Sequence, residues 1–352
     1  MNNAVYLIGT ERTHNAVDAW SSGRSSRQSP LLDLGAGFYA HDWSVQPFMS
    51  IEGLEDIRCR KIQERGLPIR VLYSGGSDSH SIAHAFARNK IPVRYTVITW
   101  FTLANNVLDS DFWNQIKLTR LKELHKAYGL SEPEVEFIRV DKEMHDRYFA
   151  SSQFGEASYY GCNLTFSLNY FPGALKFSKW DATKTINVYG IEKPRVYADD
   201  SGVFWQITDT MSMYAHSKEQ DCTWFYLSEE CLPLVAKQVW AVFMYAKQMG
   251  GKLSESLHKL QTDRDLYYQW CQVLCRKTNL WFALMSKQSK VTRVMHTAED
   301  DARYQHVPHY LELNNNAWRN YRGLLSKLND LDIGSTITPV LSPRYYLSKS
   351  KG

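Results

Sequence analysis

The stretch Ile69-Arg70-Val71-Leu72-Tyr73-Ser74-Gly75-Gly76-Ser77-Asp78-Ser79, running on into HSIAHAFARNK (80–90), decides the fold. Ile69 to Tyr73 is a short, mostly apolar run of the kind that forms a strand covered on both faces. SGGSDS is turn chemistry, and Ile82, Ala85 and Phe86 then recur at helical spacing. A glycine-containing turn between a strand and a helix suits an anion. Two glycines let the backbone approach a ligand, and successive N–H groups form a concave nest. The helix that follows offers its positive end to a phosphate. Ser74, Ser77 and Ser79 add hydroxyl donors. Asp78 would repel a bare phosphate, but fits if Mg²⁺ lies between them, since that ion is held by one or two carboxylates together with phosphates. A ligand-free Ser/Gly turn is the bland alternative, and the flanking strand and helix favour the nucleotide.

Working outward, Val93 to Trp100 reads as a second strand, Asp111 to Tyr128 as a helix and Glu134 to Val140 as a third strand. A fourth is expected at Thr185 to Tyr189, leading into Gly190. Alternating strands and helices predict an α/β class, a doubly wound parallel sheet. In open sheets of this kind ligands bind beyond the carboxyl ends of the strands. The turn Gly190-Ile191-Glu192-Lys193-Pro194-Arg195 is therefore expected to face the same crevice as SGGSDS. Lys193 would neutralise departing phosphates, Glu192 would share the metal or orient an amine, and Arg195 is a second phosphate cation. The competing reading is a solvated turn in which Glu192 pairs with Arg195.

The loop is neither a Walker P-loop nor a G-x-G-x-x-G fingerprint. It matches the SGGxDS signature and so resembles the N-type ATP pyrophosphatases, or PP-loop enzymes. These include asparagine, GMP, NAD and argininosuccinate synthetases and the tRNA-lysidine and queuosine-pathway enzymes. Gly190 to Pro194, with its G-x-E-K-P pattern, and Trp224 to Gln238 also resemble phage-encoded asparagine-synthase-like members. The likeness covers about residues 65–245 and is carried chiefly by the loop. It implies an adenine nucleotide alpha hydrolase-like fold of the HUP type, with ATP and Mg²⁺ bound. It further implies adenylation of an acceptor carboxylate or carbonyl with pyrophosphate release, then attack by ammonia or an amine with release of AMP. Asp78 is then the expected metal ligand and catalytic residue together with Glu192 and Lys193. Ser74, Gly75, Gly76, Ser77, Ser79, Gly190 and Arg195 are expected to hold ATP. Trp100, ending the second strand where this fold places adenine, joins them by stacking or backbone contact, with a plain core aromatic as the competing reading.

The departures from the named members leave the acceptor open. Met1-Asn2 supplies no N-terminal cysteine nucleophile for a glutaminase, so ammonia is expected free or from a partner. Cys271 and Cys275 have no second pair for zinc, and a lysidine-synthetase His/Asp-Asp motif is not evident. Two rivals therefore stand beside amide ligation. One is a PP-loop enzyme inserting amine or sulfur into a nucleobase, in RNA, DNA or a free nucleotide. The other is an ATP-binding sensor that has lost its chemistry.

Composition sets the outer bounds. The chain has 352 residues, 44% hydrophobic and 13% aromatic, with 41 Lys+Arg against 37 Asp+Glu for a net charge of +4. Such a chain can build a substantial core, and its charge does not by itself indicate nucleic acid. No secretory signal or 20-residue apolar span is evident, so a cytoplasmic protein is expected, in the host cytoplasm if phage-encoded. Expected divisions are an N-terminal arm and short helix at 1–65, the ATP-binding domain at 66–215, and a helical region with an extended tail at 216–352. Ser/Arg-rich sequence to residue 35 reads as a loop or arm, and PRYYLSKSKG at the end as a frayed terminus. His80 and His84, four apart, are weighed as packing or surface residues rather than as metal ligands, and Asp199-Asp200-Ser201-Gly202 as a hairpin turn.

Overall fold

Five parallel strands form the central sheet: β4 (Ile69–Leu72), β5 (Arg94–Trp100), β6 (Glu134–Val140), β7 (Ile186–Tyr189) and β11 (Cys222–Trp224). Their spatial order is β11-β7-β4-β5-β6, with β4 in the middle. The computed structural model describes residues 5–13, 19, 22–23, 25–100, 110–140, 178–190, 194–209, 222–262 and 340–349. The chain is an α/β protein with helices flanking this sheet.

Alternation along the strands determines what covers each face. Ile69, Val71, Tyr73, Tyr95, Val97, Ile186 and Val188 share one buried cluster. That cluster takes in Leu54, Cys59 and Ile62 of α2 (Ile51–Gln63), Ile82, Ala85 and Phe86 of α3 (Ser77–Arg88), and Leu121 and Leu124 of α4 (Ser110–Ala127). Tyr189 and Trp224, at the carboxyl ends of β7 and β11, belong to a second cluster, against which Leu72 packs. There they meet α5 (Leu232–Met249) and α6 (Leu253–Thr262) through Val235, Val239, Phe243, Leu257 and Leu260. β4 to β7 and α4 lie where the sequence periodicity puts them, within one residue at each end. By contrast, α3 begins three residues ahead of the expected helical run, and β11 has no counterpart in the sequence reading.

The N-terminal arm is a correction. Residues 5–13 and 31–33 form β1 (Val5–Ile8), β2 (Glu11–Thr13) and β3 (Leu31–Asp33), ahead of the short α1 (Ala36–Ala40). They join β10 (Thr208–Asp209) and β12 (Val340–Leu341) in a second sheet ordered β10-β12-β3-β1-β2. The expected frayed terminus is also corrected. β13 (Tyr345–Lys349) pairs antiparallel with β9 (Gly202–Gln206), which pairs with β8 (Arg195–Asp199). Tyr345 and Leu347 are buried there. β2, β3, β10 and β12, two or three residues each, are too short to display a period, and partners from opposite ends of the chain leave no local trace. Asp199 and Ser201 do make the expected hairpin turn: the Asp199 carboxylate accepts from the Ser201 backbone N–H at 2.8 Å. Among the described residues no helix is long and apolar enough to cross a membrane. The helices expected from about residue 263 to the tail, with Cys271 and Cys275, lie outside the described residues.

Candidate functional site

The order β11-β7-β4-β5-β6 makes the gap between β4 and β7 the point where the sheet winds in opposite directions. An open parallel sheet has its natural ligand crevice at that point, beyond the carboxyl ends of the strands. Residues 73–76 leave β4 into this crevice and Gly190 leaves β7 beside them, because Val71 and Val188 are in register. A β-carbon on Gly190 would stand 2.9 Å from Ile82 Cδ1 and 3.3 Å from both the carbonyl carbon and the β-carbon of Asp78. The two turns singled out in the sequence thus touch through Gly190, and a side chain there would crowd the contact.

The loop itself is tightly braced. Gly75 has φ +80°, a left-handed conformation that favours glycine. Ser74 Oγ accepts the Gly76 N–H at 3.2 Å and lies 3.1 Å from Ser79 Oγ, which donates to the Gly76 carbonyl at 3.2 Å. Ser74 is exposed and Ser79 buried, so Ser79 stiffens the turn while Ser74 faces outward. Gly76, the N-cap of α3, makes no side-chain cap hydrogen bond among the described residues, which leaves the positive end of the helix for an anion. Asp78 sits half-buried in the first turn. Ser77 opens α3, and its hydroxyl lies outside the described residues.

Under the loop, Tyr73 and His80 are buried and bonded to each other, Tyr73 Oη to Nδ1 at 2.9 Å. Burial first, and then the charge of Arg120, holds His80 well below the ordinary imidazole range, so the ring is neutral. His84 bonds instead to Tyr128 Oη through Nε2 at 2.8 Å and is lowered to about 4, chiefly by burial. The two histidines are packing residues with separate tyrosine partners. Among the described residues no group of three or more His, Cys, Asp or Glu could hold a metal ion.

Two functional candidates escaped the sequence reading: Lys117 and Arg120, one turn apart on α4. Arg120 Nη1 donates to the Gly75 carbonyl at 2.6 Å. The Lys117 stem lies across the same glycine, its Cγ 2.9 Å from where a β-carbon of Gly75 would be. Lys117 and Arg120 are 7% and 3% exposed, on the face that also buries Leu121 and Leu124. A signal for them existed. Positions 117, 120, 121 and 124 mark the inward stripe of α4, and basic residues hold two places where the stripe calls for apolar ones.

The other expected residues divide. Arg195 begins β8 and is exposed. Trp100 closes β5, while the adenine contact expected of its side chain lies outside the described residues, as do Glu192 and Lys193. The segment Trp224 to Gln238 reaches the loop: Tyr226 Oη is 3.5 Å from the Asp78 carbonyl, and Gln238 Nε2 donates to the Tyr226 carbonyl at 3.0 Å. No protein-family model and no curated protein matches the sequence.

Proposed function

We propose that the chain binds ATP with Mg²⁺ at residues 74–79 and is an AMP-forming ligase of the PP-loop, HUP-type class. The observation that carries this reading is the meeting of the SGGSDS turn and Gly190 at the winding reversal of a parallel sheet. The residues fit both groups. The positive φ of Gly75, the start of α3 at Gly76 and the outward Ser74 hydroxyl make an anion cradle. Asp78 offers a carboxylate in that first turn, which suits an ion shared with phosphates and water.

In this reading an acceptor oxygen attacks the α-phosphorus of ATP, the α–β bridge breaks, and pyrophosphate leaves with the bonding electrons. Ammonia or an amine then displaces AMP from the activated acceptor. Mg²⁺ would supply charge neutralisation across the phosphates. The chain's own groups position: loop N–H groups and the end of α3 fix the phosphates, Asp78 orients the ion, and Lys193 with Glu192 would act at the pyrophosphate and the amine.

Incubation with α-labelled ATP and candidate acceptors tests the class, because the reading requires AMP and pyrophosphate. ADP as the labelled product overturns it. Asp78→Asn is expected to fold normally by circular dichroism and to lose Mg²⁺-dependent AMP formation by about 100-fold or more, the scale of removing one aligned electrostatic group. Stabilisation by ATP that ignores Mg²⁺ and yields no AMP would favour the sensor. Salt-sensitive retention on nucleic acid would favour a nucleobase acceptor.

A further inference from the structure

We infer that Lys117 supplies the lysine that the SGGSDS loop itself lacks, contacting the β- and γ-phosphates from the neighbouring helix, and that Arg120 is a positioning residue holding the loop for it. The inference rests on the nucleotide reading above and adds a residue to it.

Three features of one place carry it. First, the Lys117 stem occupies the space that any side chain at position 75 would take, so loop and lysine are fitted to each other. Second, Arg120 grips the Gly75 carbonyl at 2.6 Å while Ser74 Oγ takes the Gly76 N–H on the other side of the same peptide. That peptide is therefore fixed in orientation, and the following N–H groups with it. Third, both cations are almost fully buried, and two like charges one turn apart on a helix disfavour each other. A polyphosphate at the mouth of the loop would place negative charge beside both. The field of Arg120 reaches Tyr73 and His80 beneath the loop: burial raises Tyr73 to about 12 against it, and burial followed by Arg120 lowers His80. A compact ammonium on a long stem suits a phosphate as a point charge, and a planar guanidinium suits the clamp on a carbonyl.

The readout is affinity as a function of phosphate number, which a merely structural role would not single out. Binding of ATP, ADP, AMP and inorganic pyrophosphate is measured by calorimetry on the full chain. Wild type is expected to prefer ATP and pyrophosphate over AMP. Lys117→Met is expected to weaken ATP and pyrophosphate by about 10-fold or more, equivalent to about 1.4 kcal/mol, and to leave AMP unchanged. Lys117→Arg should keep most of the affinity, Arg120→Met should lower the preference for ATP over AMP, and Lys122→Met on the solvent face of α4 should behave as wild type. Unchanged pyrophosphate binding in folded Lys117→Met overturns the role of Lys117, and an unchanged preference in Arg120→Met overturns that of Arg120, with the nucleotide reading intact. A wild-type protein that binds neither ATP nor pyrophosphate overturns that reading, and this inference with it. If Lys117→Met does not fold, wild type decides through acetic anhydride labelling read by peptide mass. Pyrophosphate must slow modification of Lys117 and not of Lys122, and equal slowing or none overturns the inference.

Discussion

Gly190 is where one residue joins two turns, because a β-carbon there would press on the Asp78 backbone at 3.3 Å as well as on Ile82 Cδ1 at 2.9 Å. A side-chain tip can swing aside, but the Asp78 backbone is held by the first turn of α3. Gly190→Ala should therefore cost about 1–3 kcal/mol as an overpacked site, and should open the gap between the loop and β7. Urea unfolding checks the first effect and ATP affinity the second. Wild-type values for both would mean that the two turns are not mechanically joined. Residue-scale chemistry was legible in the loop because Gly-Gly and three serines have few other reasons to sit between a strand and a helix. Lys117 and Arg120 were hidden because a basic residue in a helix reads as solvent-facing until the buried stripe is known.

At the scale of elements, α2 and α3 are joined by charge as well as by apolar packing. Arg88 of α3 bonds Asp56 at 2.6 Å and lies 3.5 Å from Glu55, both on α2. Burial pushes the Glu55 carboxyl up to about 7, against the attraction of Arg88, with Glu52 and Asp56 adding repulsion. Between an unfolded value near 4.5 and about 7 the folded chain thus binds more protons than the unfolded chain. Glu55 therefore subtracts stability as pH rises through that window, by at most about 3 kcal/mol in all. His84, lowered to about 4, works in the opposite sense from about 4 to 6.5, so the wild-type curve alone is blunted. The difference between wild type and Glu55→Gln isolates the carboxyl. The variant should gain on wild type steadily from pH 4.5 to 7 in denaturant melts, and parallel stability curves would contradict the buried-carboxyl account.

The same scale explains what the sequence disclosed. β6 spans Glu134–Val140, as its alternating run implies, and α4 starts and ends within one residue of its expected limits. Strands that cross a covered sheet and helices of three or more turns repeat their pattern often enough to be recognised. β11, three residues long, does not, although it completes the parallel sheet.

For the whole molecule, part of the aromatic richness now has a place. Trp43 and Trp205 meet edge to face at 4.7 Å, Trp205 stacks on Tyr345 at 4.6 Å, and Phe38 lies about one ring further out. These rings come from residues 38 to 43, β9 and β13, and they share a buried cluster with Tyr189 and Trp224 at the carboxyl ends of the parallel strands. Residues from the two ends of the chain thereby build a single layer next to the crevice. Ser342 stitches it further, its N–H donating to the Ile207 carbonyl and its hydroxyl accepting the Ile207 N–H, each at 2.9 Å. Tyr345→Ala should then cost about 3–5 kcal/mol, the scale for emptying a buried aromatic site, out of a total of about 5–15 kcal/mol for a typical domain. Ending the chain at residue 339 removes both β12 and β13 and should cost at least as much. Calorimetric melting and dye binding to exposed apolar surface check both variants, and a melt unchanged by the truncation would restore the frayed-terminus reading. Because Tyr189 precedes Gly190 in this same cluster, ATP affinity should fall alongside stability in Tyr345→Ala. A surface tail would leave it untouched.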